Sequence, residues 1–188
     1  MKIDKVKVYG LEDAVMYSKY PMTVDKSEIT SDITNTTKSL ASCVTGTGHD
    51  NFLNGIIVQF ELTFSIKAWT EAERYHFLDF ISSQSTMHRI SQFDIRAQCN
   101  EYVDEGIIKR VEELKAIYLQ TKSSEDYLKL LYNIPTGFQL SAGMTTNYRQ
   151  LKTILQQREN HRLPEWREFC KWVRTLPHFE ELCLKEAP

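Results

Sequence analysis

The twelve residues from Gly55 to Ile66 read GIIVQFELTFSI, dense in β-branched and aromatic side chains with partial alternation. Such a run fits a pleated, largely buried strand and needs partner strands on both sides. Ile3 to Tyr9 alternates apolar and polar residues, and Phe138 to Thr145 alternates again, with a bend expected at Gly143, so both read as strands. Between and after them lie helical patterns. Glu105 to Gln120 spaces Ile108, Val111, Leu114 and Tyr118 along one face. Ser123 to Tyr132 opens with a capping serine, at 123 or 124, and two acidic residues. Thr146 or Asn147 caps a further helix that turns Leu151, Ile154 and Leu155 inward. A last helix starts at Pro164, buries Trp166, Phe169, Cys170 and Val173, and stops at Pro177. Strands and helices are interspersed without regular βαβ alternation. The expectation is therefore α+β, one domain over 1–188, with a mostly antiparallel or mixed sheet and packed helices.

The stretch from Thr70 to Arg89 carries the densest chemistry. Thr70 and Glu73 have the spacing of a capping box, which predicts a helix starting at Thr70. On that helix His76, Asp79 and Ser83 share one face, and Phe77, Phe80 and Ile81 bury on another. It ends in a polar run, Ser82-Ser83-Gln84-Ser85-Thr86-Met87-His88-Arg89. Further upstream, Val24 to Lys38 reads as loop with room for one short helix, and Thr45-Gly46-Thr47-Gly48-His49 as a tight turn.

Charge narrows the choice of partner. A net charge of −2 argues against a chain built to coat nucleic acid. Yet Arg149 to Arg174 holds seven Lys and Arg against three Glu, a local excess that suits a small anion such as a phosphate. Cys43, Cys99, Cys170 and Cys183 are scattered with no C-x-x-C pair, so zinc is not expected and reduced thiols are. No apolar window is long enough to span a bilayer, and no signal peptide follows Met1, which points to a cytoplasmic protein.

The segment Asn147-Tyr148-Arg149-Gln150-Leu151-Lys152-Thr153-Ile154-Leu155-Gln156-Gln157-Arg158 resembles a signature of the flavin-dependent thymidylate synthases, in which Asn-x-Arg is followed by a helical apolar pair and an Arg. The stretch around Gln84-Ser85 is similar to that family's other signature, an arginine-histidine-arginine triplet followed by spaced serines. Tyr75-His76-Phe77 then stands in the place of the triplet. His49 falls within a residue of where the family has a flavin-contacting histidine. The resemblance implies a protein that converts dUMP to dTMP with methylenetetrahydrofolate, FAD and NADPH. It implies Arg158 and Ser85 as catalytic residues, Gln84, Ser85 and Arg158 as dUMP ligands, and His49, His76, Asn147 and Arg149 as FAD ligands. It also implies a homotetramer.

The chain departs from that pattern at several positions, among them Ser82 in place of an asparagine and Met87-His88 in place of a final Arg-Tyr. Both arginines of the triplet are replaced, by Tyr75 and Phe77, and each lost charged hydrogen bond to a flavin diphosphate would cost about 1.5–3 kcal/mol. The other expectation is therefore a family-fold protein without the redox chemistry, like small phage-encoded relatives. Such a protein would work as an interaction module in host takeover or anti-defence, contacting RNA or a host protein complex.

Overall fold

The computed structural model describes residues 1–184. In chain order the elements are β1 (Lys2–Tyr9), α1 (Leu11–Tyr17), α2 (Asn35–Ala41), β2 (Ile57–Ser65), α3 (Ile66–Ala72), β3 (Asp79–Ser83), α4 (Thr86–Arg89), α5 (Ile95–Gln98), α6 (Glu105–Thr121), α7 (Ser124–Tyr132), β4 (Gln139–Asn147), α8 (Tyr148–Arg158), α9 (Pro164–Arg174) and α10 (Phe179–Cys183). The fold class is α+β, with an antiparallel four-stranded sheet in the order β1-β2-β4-β3. The GIIVQFELTFSI run supplies β2, which lies inside the sheet between β1 and β4. Its alternation is complete: Val58, Phe60, Leu62 and Phe64 are buried, and the residues between them are half-buried.

The chain divides into two compact units. One comprises Met1–Ile3, Glu61–Arg74 and Phe80–Gly143; the other comprises Asp4–Phe60, Tyr75–Asp79 and the residues from Met144 onward. In the first, α6 and α7 pack together, and Ile90, Ile95, Ile108, Val111, Leu114, Leu130 and Phe138 form one core. Each such side chain contributes about 1.5–3 kcal/mol on burial, more than helix propensities differ from residue to residue. Local signals place the helix starts. Ser123 accepts a hydrogen bond from the Asp126 amide at 3.1 Å, and Asp104 accepts one from Gly106 at 2.8 Å.

In the second unit α8 packs on α9, α10 and the 3-10 turn Asn51–Gly55. Tyr148, Leu151, Ile154, Trp166, Phe169 and Phe179 fill its core. Gly10 precedes α1 with φ of 72°, and a Cβ there would lie 2.6 Å from the Gly55 carbonyl oxygen. Only glycine permits both the left-handed backbone and that approach.

The helix expected from Thr70 is not there. The helix in that region is α3, which starts four residues earlier than Thr70 and is capped by Ser65, whose hydroxyl accepts from the Ala68 amide at 3.2 Å. The Thr70 hydroxyl instead donates to the Lys67 carbonyl at 2.8 Å, inside that helix. His76, Asp79 and Ser83 share no helical face, because Asp79–Ser83 is the edge strand β3. Phe77, Phe80 and Ile81, expected to be buried, are 63%, 46% and 58% exposed. The competing force is pairing with β4. Just past β3 the Gln84 amide donates to the Ser141 carbonyl at 2.9 Å, and the Gln84 side chain accepts from the Ser141 amide at 2.9 Å. A short β-branched and aromatic segment gains more from that partner than from continuing a helix.

The short helix allowed for in Val24–Lys38 begins at Asn35 and runs on to Ala41. The helix from Pro164 is not the last, since α10 follows Pro177. All four cysteines are unbonded. No helix among the described residues is long and apolar enough to cross a membrane.

Candidate functional site

The side chain of Asn147 accepts a hydrogen bond from the Gln150 amide at 2.8 Å, so it is the N-cap of α8. One helix thereby carries three of the seven residues singled out from the sequence, with Asn147 at its start, Arg149 in its first turn and Arg158 in its last.

Near the start of α8 the polar groups form a closed network. Asp50 is fully buried and receives Arg149 Nε at 3.0 Å on one oxygen and Lys152 Nζ at 3.0 Å on the other. Lys152, itself 1% exposed, also donates to the carbonyls of Ala41 at 2.7 Å and Cys43 at 2.6 Å. With three acceptors every ammonium proton has a partner, so burial leaves no donor of the group unsatisfied. The network ties the loop carrying His49, which is exposed, to α8. Residue spacing gives no sign of Asp50 and assigns Lys152 to a surface basic patch; the fold buries it instead.

That patch is largely internal or neutralised. Lys171 pairs with Glu168 at 2.7 Å, and Arg174 pairs with Glu159 and Glu180. Arg167 donates to the carbonyls of His161 at 2.7 Å and Arg162 at 3.0 Å.

At the other end of α8, half-buried Arg158 has a distinct setting. Its Nε donates to the Tyr75 hydroxyl at 2.7 Å, and that hydroxyl donates in turn to Gln157 Oε1 at 2.9 Å. The guanidinium carbon lies 5.4 Å from the Tyr75 ring centroid and 5.1 Å from that of Trp166. Delocalised charge over two aromatic faces is favourable, by about 0.5–2 kcal/mol per contact. Tyr75, read from sequence as the loss of an arginine, is the direct partner of Arg158. Nothing in residue spacing reveals a contact between positions 83 apart.

His76 and Phe77 are exposed in the segment after Tyr75, and Phe77 sits in the left-handed region with φ of 63°. Gln84 and Ser85 belong to the other unit. Ser85 precedes α4 without a side-chain capping bond. Close by in the same unit, Trp69, Phe80, Ser83, Gln84, Glu73 and Leu140 line an open cavity of about 220 Å³. Among the described residues no group of three or more His, Cys, Asp or Glu is placed to hold a metal.

No family model matches the chain, and no curated protein does. Solved structures do. The flavin dependent thymidylate synthase ThyX from Helicobacter pylori, complexed with FAD and dUMP, superposes with a TM-score of 0.75 at 17% identity, covering 98% of this chain and 100% of that one. A second structure of the H. pylori enzyme with FAD and dUMP gives 0.75 at 15% identity, covering 96% of each chain. The UMP/dUMP methylase PolB from Streptomyces cacaoi, bound with 5-Br dUMP, gives 0.66 at 14% identity, covering 97% of this chain and 91% of that one. The fold is that of the flavin-dependent thymidylate synthases.

Proposed function

We propose that this chain is a divergent relative of the flavin-dependent thymidylate synthases that binds a pyrimidine nucleotide, with dUMP as the first candidate and Arg158 as its anchor. The observation that carries the reading is Arg158 itself, a half-buried cation held by Tyr75 and Trp166 at the end of α8, on a fold shared with proteins bound to dUMP or its bromo analogue. A guanidinium fixed in this way pairs with two coplanar acceptor oxygens, as a uracil edge or a phosphate offers.

The residues present do not fit a flavin diphosphate. Tyr75 and Phe77 are uncharged, Arg149 is paired with buried Asp50, and the Asn147 side-chain oxygen caps α8. His49 and His76 are exposed, but two imidazoles do not replace the forked donors of two guanidinium groups. The reading is therefore nucleotide binding, with no step drawn through FAD, methylenetetrahydrofolate or NADPH.

Calorimetric titration with dUMP, beside an absorbance titration with FAD, tests it. Saturable dUMP binding that is lost in Arg158→Ala, with no saturable uptake of FAD, is the expected result. Absence of dUMP binding by the unsubstituted protein would overturn it. Phe77 favours a second reading, an interaction module contacting RNA or a protein. A large apolar ring held exposed on left-handed backbone is unusual unless something covers or stacks on it. RNA capture without any dUMP affinity is the outcome that would select it.

A further inference from the structure

We infer that the open cavity lined by Trp69 and Phe80 binds one planar base with the donor and acceptor pattern of guanine, stacked on Phe80 and read by Glu73 and Gln84. Arg158 and its ligand play no part in it.

Size and wall come first. The cavity holds about 220 Å³, and all of its lining comes from one of the two units. Sites for drug-sized ligands run to about 300–1,000 Å³, so this one takes a single ring system. Its aromatic wall is held in place. Trp69 Nε1 donates to the Leu140 carbonyl at 3.1 Å, and the Trp69 ring packs on Phe64 at 5.2 Å and on Phe80 at 4.9 Å. Trp69 is buried by these contacts, whereas Phe80 keeps 46% of its surface open. Every base has a π-face for such a ring, so the wall supplies affinity but not identity.

Identity comes from the polar rim. The Glu73 amide donates to the Trp69 carbonyl at 3.1 Å, which sets Glu73 one helical turn beyond Trp69 and on the same side. Lys67 and Arg74 both pair with Glu71. Among the described residues the Glu73 carboxylate has no hydrogen bond or ion pair, and both its oxygens accept. Gln84 Oε1 takes the Ser141 amide at 2.9 Å, so the side-chain NH2 of Gln84 is an oriented donor.

A carboxylate and an amide donor at one rim match a ligand edge that carries two N–H groups and a carbonyl. Guanine has these side by side, with N1–H and N2–H for the carboxylate and O6 for the amide. Adenine and cytosine each turn a ring-nitrogen acceptor toward the carboxylate. Uracil offers one N–H between two carbonyls, both of which repel it.

The test is calorimetric titration of the full chain with GMP, AMP and CMP. GMP should saturate and bind about tenfold or more tighter than the other two. Glu73→Gln turns one acceptor into a donor and should weaken GMP about tenfold or more, with thermal unfolding unchanged because Glu73 is exposed. Phe80→Leu removes the stacking face and should weaken GMP about tenfold. No saturation with GMP, equal affinity for AMP, or full GMP affinity in Glu73→Gln overturns the assignment. Displacement of GMP by dUMP overturns it too, since one site would then serve both. A protein that binds no dUMP at all would end the reading of Arg158 and leave the GMP result standing.

The base can come from a free nucleotide or from a single strand. Two short single-stranded RNAs, one with a single guanine and one with none, separate these sources. Tighter binding of the guanine-bearing strand than of GMP assigns the site to single-stranded nucleic acid, and the reverse assigns it to the nucleotide. Equal binding of the two strands overturns the reading of the base.

Discussion

Asp50 and Lys152 sit 3.0 Å apart with both side chains shut away from solvent, and Arg149 closes on the second oxygen of the same carboxylate. Removing one member of a buried pair strands the other charge, at about 3–5 kcal/mol. Lys152→Met should destabilise the fold by about that much, since two backbone carbonyls lose their donor as well. Urea unfolding measures it. Adding Asp50→Asn to Lys152→Met should recover part of the loss, and strictly additive costs would show that the two groups are not coupled.

Asn147 gives a way to separate structure from ligand contact. If its role is the cap on α8, Asn147→Asp keeps the acceptor and leaves stability nearly unchanged, while Asn147→Ala costs about 1 kcal/mol. Thermal unfolding of the two variants decides the matter. Equal losses in both would remove the capping assignment.

Gly10 is fixed by two constraints at once, its φ of 72° and the Gly55 carbonyl where a side chain would go. Gly10→Ala should cost at least about 1–3 kcal/mol in chemical denaturation. A neutral outcome would mean that the turn before α1 relaxes freely.

The buried thiols predict how stability falls in base. Burial pushes Cys183 up to about 12 and Cys170 up to about 11, from an ordinary value of 9.0. Below pH 9 both are protonated whether folded or unfolded, and their contribution is intact. Between 9 and the folded values the unfolded chain ionises and the native one does not, so stability drops by about 1.4 kcal/mol per pH unit for each thiol. Cys183→Ala should flatten that slope in unfolding curves from pH 9 to 10.5. A thiol reagent at pH 8 should leave Cys170 and Cys183 unmodified until the protein unfolds.

What was readable in the sequence was local. Ser123, Asn147 and Pro164 mark helix starts because a cap or a first-turn proline acts within four residues, and the 58–64 alternation is a property of one strand. The α8 residues Asn147, Arg149 and Arg158 were legible for the same reason, as positions on one helix. Tertiary structure decided the rest. Residues 70–83 carry a helical pattern, but pairing with β4 about sixty residues later makes a strand of Asp79–Ser83. Tyr75 reads as an arginine lost, and only the fold brings it to Arg158, where a hydroxyl and a ring take hold of the cation. Lys152 reads as surface charge, and only the fold sets a carboxylate and two carbonyls around it. Local spacing fixes which groups share an element; which groups meet across elements depends on long-range closure, and that energy is written in no short stretch of the chain.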